Sequence, residues 1–147
     1  MKSTSRLCIT WVRPELEGEH WEFFHHPAKQ DFYRRNGIAW DNLVCVFENG
    51  RLEPYPRDGH LGGVTVELSY HRYEDYSRFL ARSKRGYRLP YTRMETALQQ
   101  EGHLTLPAPI ILQCSDRALL FSGYRRLCLA WNYGMVPAVW LVTVASL

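Results

Sequence analysis

Ala118-Leu119-Leu120-Phe121-Ser122-Gly123-Tyr124-Arg125-Arg126 is the stretch on which the reading of this chain turns. An apolar run from Ala118 to Phe121 is interrupted by Ser122-Gly123, and Tyr124-Arg125-Arg126 opens a helical pattern that closes at Gly134. Pro137 to Val144 is a second apolar run, so Ala118 to Val144 predicts strand, turn, helix, strand. That order places a turn, the first N–H groups of a helix and two guanidinium groups at one helix N-terminus. Such an end carries orphan donors and a partial positive charge, and it attracts anions, phosphate above all. Ser122 is the expected N-cap, and Gly123 lets the backbone approach a ligand with no Cβ in the way. Arg125 and Arg126 carry planar forks suited to phosphate oxygens. Adjacent helical residues diverge by about 100°, so one of the two is expected on a given phosphate. The plainer alternative is a capped helix whose arginines face water.

Working outward, Pro107 and Pro109 introduce the strand Ile110-Ile111-Leu112, and Cys114-Ser115-Asp116-Arg117 is a polar turn, so Pro109 to Phe121 predicts a hairpin. Upstream, Arg6 to Val12 predicts a strand ended by Pro14. In Glu15 to Asn36, Trp21, Phe24, Ala28 and Phe32 recur at helical spacing, with a break at Pro27 and a stop at Gly37. Leu43 to Phe47 predicts a short strand, Arg51 to Gly63 a Pro/Gly-rich loop, and Val64 to Tyr70 a half-buried strand. Helices are expected over Glu74 to Ser83, ended by Lys84-Arg85-Gly86, and over Tyr91 to Gln100, entered at Pro90 and stopped at Gly102. The fold class is α+β: a small mixed sheet with helices around it, in one domain over residues 1–147.

With 147 residues, 46% hydrophobic and 22% charged, the chain has the composition of a globular domain. Its net charge of +3 suits an anionic ligand but is well short of that of a dedicated DNA binder. The four cysteines, Cys8, Cys45, Cys114 and Cys128, form no C-x-x-C pair, which removes support for a structural zinc site. His20 and the His25-His26 pair lack carboxylate spacing and are expected on a polar surface, so no metal site is expected. The first six residues lack the apolar core of a signal peptide, and Met135 to Leu147 is too short for a membrane helix. A cytoplasmic protein with no membrane partner is the expectation. Gly-x-Ser-x-Gly, P-loop, Rossmann and His-Glu-x-x-His patterns are absent.

The run Pro109-Ile110-Ile111-Leu112, turn, Leu119 to Leu127, Ala130, Gly134 and Val136-Pro137-Ala138-Val139 resembles the ParB/sulfiredoxin-like superfamily. There a Pro-Ile-(Val/Ile) strand precedes a hairpin, a Gly-x-(Arg/His)-Arg motif opens a helix that ends near a Gly, and a Val-Pro-Val-like strand follows. The likeness covers Thr92 to Val144, while residues 1–90 match only in the coarse order of elements. What the resemblance implies is nucleotide binding: the triphosphate of CTP in ParB-like proteins, ATP in sulfiredoxin-like ones, and a phosphoryl-donating nucleotide in related free amino-acid kinases. Gly123, Arg125 and Arg126 match the motif, with Ser122 and Tyr124 beside them. Tyr124 stands where sulfiredoxin-like chemistry has its Cys, so peroxiredoxin repair is not expected. It also replaces a Glu common in ParB-like chains, and the chain as read ends at Leu147 without a helix-turn-helix, so full partition activity is not expected. A homodimer is compatible with the likeness.

Function is therefore expected to be binding of ATP or CTP with Mg²⁺, coupled to phosphoryl transfer or hydrolysis on a small molecule or nucleotide. Transfer needs a carboxylate to orient the acceptor or hold the metal, and Glu95, Glu101 and Asp116 are the candidates, with Glu67, Glu74 and Asp75 behind them. The alternative is a non-catalytic module that binds nucleic acid or switches on a nucleotide. It draws on a second constellation: Arg78, Arg82, Lys84, Arg85, Arg88 and Arg93 occur with no acidic residue between Tyr76 and Met94, and Tyr87 and Tyr91 interleave. A solvated helix end accounts for the same residues.

Overall fold

The hairpin after Pro109 forms the middle of the molecule, because its two strands are apolar on both faces. In the computed structural model, which describes residues 7–25, 27–55, 60–61, 64–67, 78 and 80–144, the elements run as follows. β1 (Cys8–Val12) precedes α1 (His20–His25), α2 (Pro27–Arg35) and α3 (Trp40–Val46). β2 (Arg51–Pro54), β3 (His60–Leu61) and β4 (Val64–Glu67) come next, followed by α4 (Arg85–Glu101) and β5 (His103–Pro107). The chain ends in β6 (Ile110–Cys114), β7 (Arg117–Ser122), α5 (Tyr124–Asn132) and β8 (Ala138–Thr143). Five strands form a mixed sheet in the order β2-β8-β6-β7-β4, with the two-residue β3 antiparallel on β4. β6 is antiparallel to β7 and parallel to β8. β1 and β5 form a separate parallel pair.

Side-chain alternation divides the core into two layers. Ile111, Leu120, Val139 and Leu141 face Leu98 of α4 and Leu127 and Trp131 of α5. Ile110, Leu112, Phe121 and Val142 face Phe23, Phe32 and Leu43 of the N-terminal helices. Burial on both faces is why β6, β7 and β8 read as continuous apolar runs rather than alternating ones. Trp140 ties the second layer to the sheet edge: its Nε1 donates to the Phe47 carbonyl at 3.0 Å, and Gly50 leaves room for its ring.

Four expectations are corrected. Leu43 to Phe47 is helical, in α3 and a following 3-10 turn, because the buried pair Leu43 and Phe47 is spaced by four while Val44 and Cys45 are exposed. Asn42 Oδ1 accepts the Ala39 N–H at 3.2 Å and helps start that helix. Arg51 to Pro54, expected in a loop, is an edge strand on β8, where a terminal proline is tolerated. Phe23 rather than Phe24 enters the core, because Pro27 opens a new helix and the period does not carry across the break. Finally, the helix expected from Tyr91 starts directly after Lys84, so Pro90 lies inside it instead of at its entrance. Proline there removes the bond to the Gly86 carbonyl, one bond of a 17-residue helix. β5 was not anticipated. Of the helix expected over Glu74 to Ser83, residues 78 and 80–82 are helical and the helix ends before Lys84 as expected, while 74–77 and 79 lie outside the described residues.

The turn between β7 and α5 departs from expectation as well. Gly123, not Ser122, is the N-cap, with φ 110°, and no side chain caps the helix. A Cβ on Gly123 would lie 2.5 Å from Pro109 Cβ and 2.7 Å from Pro109 Cα. Its glycine is thus required by a packed proline and a left-handed backbone. Gly123→Ala is expected to lower the unfolding free energy by about 2–4 kcal/mol, as strain adds to overpacking. Gly102→Ala, also at positive φ (73°) but with nothing within 4 Å of the new methyl, should cost about 1 kcal/mol. Urea midpoints of the two variants check this, and equal losses would refute the Pro109 contact.

Candidate functional site

The ladder of α5 begins with the Leu127 N–H bonded to the Gly123 carbonyl at 3.0 Å, so the N–H groups of Tyr124, Arg125 and Arg126 lie ahead of it. Three cations surround that end. Lys29 of α2 is 1% exposed, donates to the Phe121 carbonyl, and places its ammonium 5.0 Å from the centre of the Tyr124 ring. Arg125 stacks its guanidinium 4.0 Å from the centre of the Tyr87 ring and donates to the Tyr87 carbonyl at 2.8 Å. Arg126 is partly buried; it donates to the carbonyls of Pro107 and Ala108 and, at 3.4 Å, to Ser122 Oγ.

Burial holds the Arg126 pKa below the ordinary arginine value, and the charge of Glu19 acts against that shift. Neither Arg125 nor Arg126 forms an ion pair among the described residues. The two arginines diverge as expected: Arg125 binds the start of α4, and Arg126 the β5–β6 link. Lys29 and Glu19 are the site residues that sequence reasoning missed. Lys29 had a legible signal, since it shares a helix face with the buried Phe32 and Tyr33, three and four residues on. Glu19 had none, being brought in by the fold alone.

The candidate carboxylates stand elsewhere. Asp116 is exposed in the β6–β7 turn, at the opposite end of β7 from Ser122, about 20 Å along the strand. Glu101 is exposed at the end of α4, about 21 Å along the axis from Tyr87. Glu67 pairs with Arg35 at 3.2 Å and lies 3.9 Å from Arg117, while Glu74 and Asp75 lie outside the described residues. Glu95 sits by the C-terminal end of α5: its Oε2 accepts the hydroxyls of Tyr91 at 3.2 Å and Tyr133 at 3.0 Å. Asn132 donates to the Tyr91 hydroxyl at 2.7 Å, and Gln99 to that of Tyr133 at 2.7 Å. Glu95 is therefore a junction between the two helices.

Basic residues mark the start of α4. Arg82, Lys84, Arg85, Arg88 and Arg93 are all exposed and make no ion pair among the described residues. Arg88 reaches back to the Ala81 carbonyl at 3.3 Å. Arg78 is exposed too. His20 is exposed and packs on Phe24 and Trp40, with ring centroids 4.6 and 4.9 Å away. No group of three metal-ligating side chains occurs among the described residues, and none of their helices is long and apolar enough to cross a membrane.

Burial raises the Tyr91 phenol above the usual tyrosine value, the Asn132 bond opposing it. A folded pKa above the unfolded one means the contribution is complete below about pH 10 and is lost as pH climbs past it. The unfolded chain then sheds a proton that the native state keeps, a slope of up to about 1.4 kcal/mol per pH unit. Tyr91→Phe should cost about 1 kcal/mol at neutral pH and flatten the alkaline slope. Urea unfolding at neutral pH and above pH 10 measures both effects, and an unchanged slope would refute the assignment.

Comparison of the chain with family models, curated proteins and solved structures returned no significant match.

Proposed function

We propose that this chain is a ParB/sulfiredoxin-like domain that binds the phosphates of ATP or CTP at the N-terminus of α5. One observation carries the reading: Arg126 holds a partly buried positive charge beside a helix N-terminus with no carboxylate at ion-pair distance among the described residues. Buried charges are normally paired, and an anionic ligand would supply the missing partner. Lys29 adds a second cation behind the same turn, and Ser122 Oγ a hydroxyl. Gly123 serves this site indirectly, by letting Pro109 set the angle at which α5 starts.

Mg²⁺ needs hard oxygen ligands. Glu95, Glu101 and Asp116 are not at this end of α5, so the nucleotide's own phosphates would hold the metal, with Glu19 the acid whose charge reaches Arg126. Binding is thus better supported than phosphoryl transfer.

Thermal-shift titration with ATP, CTP and GTP, with and without Mg²⁺, tests the proposal. At a hundred-fold excess over Kd the matching nucleotide should raise the melting temperature by about 5–10 °C. Arg126→Ala should abolish the rise and Arg126→Lys should keep part of it, each variant judged against its own ligand-free midpoint. Folded protein that shifts with none of the three nucleotides would end the reading.

A further inference from the structure

The geometry points to a second anion surface, separate from the start of α5: the exposed face of Arg82, Lys84, Arg85, Arg88 and Arg93 docks the sugar–phosphate backbone of a nucleic acid. Helix α4 carries its charges against its own dipole. Lys84 is its N-cap, the first turn holds no acidic residue, Arg85 and Arg88 follow, and the acidic Glu95 and Glu101 come in the second half. Helix stability alone favours the reverse, with anions at the N-terminus and cations at the C-terminus. A stretch that breaks a local rule without compensation within the fold is where function is expected. Phosphates lying along the first turns of α4 would supply that compensation.

The chemistry of the face selects among anionic partners. Four of its five cations are arginines, whose planar forks match phosphate oxygens. Among the described residues the exposed large apolar ones are Val12, Phe24, Val44, Leu52 and Val136, and none lies on α4. A helix that enters a lipid surface presents an apolar face with its cations, and a docked peptide is usually anchored by apolar or aromatic residues. A bare cationic face suits backbone contacts that position a strand without reading its bases. Arg85 and Arg88 are neighbours on one side of the helix, and the Arg88 bond to the Ala81 carbonyl holds the segment bearing Arg82 against it. From Arg85 to Arg93 the helix rises about 12 Å, the length of about four phosphates of one strand.

Fluorescence anisotropy with short labelled DNA of unrelated sequences, single-stranded and duplex, tests the inference. Affinity should be independent of sequence and fall about 100-fold between about 50 and about 200 mM salt, a log–log slope of about 3. Arg85→Gln combined with Arg93→Gln should reduce that slope by about 1.5 while leaving the melting temperature unchanged or higher. Should that pair fold poorly, Arg82→Gln and Arg93→Gln singly should each lower the slope by about 0.8. Arg34→Gln and Arg51→Gln, exposed cations outside the face, should leave it unaltered. Arg126→Ala should also leave it unaltered, so the nucleotide reading and this one fail separately. No binding at low salt, an unchanged slope in the strip variants, or equal capture by polyglutamate or phosphatidylserine vesicles would overturn it.

Discussion

The architecture depends on one close approach, that of Pro109 to Gly123. A side chain at position 123 would overlap Pro109, and a positive φ there turns the chain from β7 into α5. Because Pro109 leads into β6 while Gly123 leaves β7, the contact pins the start of the helix to the end of the hairpin. The register of β6 on β7 shifts between Ile110 and Ile111, beside that contact, so the strands bend where the helix departs. Arg126 then finds the Pro107 and Ala108 carbonyls within reach, and Lys29 finds the Phe121 carbonyl. Burial of the sheet on both faces supplies the energy, and the Gly123 turn supplies the geometry.

Charge is distributed over the two long C-terminal helices in a way that stability does not explain. The start of α5 gathers Lys29, Arg125 and Arg126, and the start of α4 gathers Lys84, Arg85 and Arg88, with the Arg125–Tyr87 stack joining the two ends. Two positive helix ends side by side, each furnished with added cations, make a field that repels itself. Carbonyl oxygens of Phe121, Pro107, Ala108 and Tyr87 hold three of these cations in place. For Arg125 and Arg126 no carboxylate does so among the described residues.

The C-terminal third was legible in the sequence because its signals agree: apolar runs of strand length, a polar turn, a helix stop at Gly134 and a proline before the last strand. The N-terminal part was less legible because its deciding terms are not local. Leu43 to Phe47 is as apolar as a strand, and only burial at a spacing of four, one helical turn, shows it to be a helix. Pro90 suggested a helix start because proline favours first turns, yet Lys84 had already begun the helix. At the site, Ser122 to Arg126 were readable from turn chemistry and charge. Lys29 and Glu19 come from elements remote in sequence, and Gly123 was chosen for a reason, the Pro109 contact, that no spacing reveals.

The far end of α5 completes the logic. A carboxylate near a helix C-terminus is disfavoured by the dipole, so Glu95 needs donors, and the hydroxyls of Tyr91 and Tyr133 provide them. Asn132 and Gln99 orient those hydroxyls by donating to them. Each polar group there has a counterpart within the fold, which makes that end of the helix pair a closed structural junction. At the opposite end the guanidinium groups are held by neutral oxygens, with no carboxylate at ion-pair distance among the described residues. The same two helices therefore carry a pole whose charge is paired within the fold and a pole whose arginine charges are not, and an anion would gain more at the second than at the first.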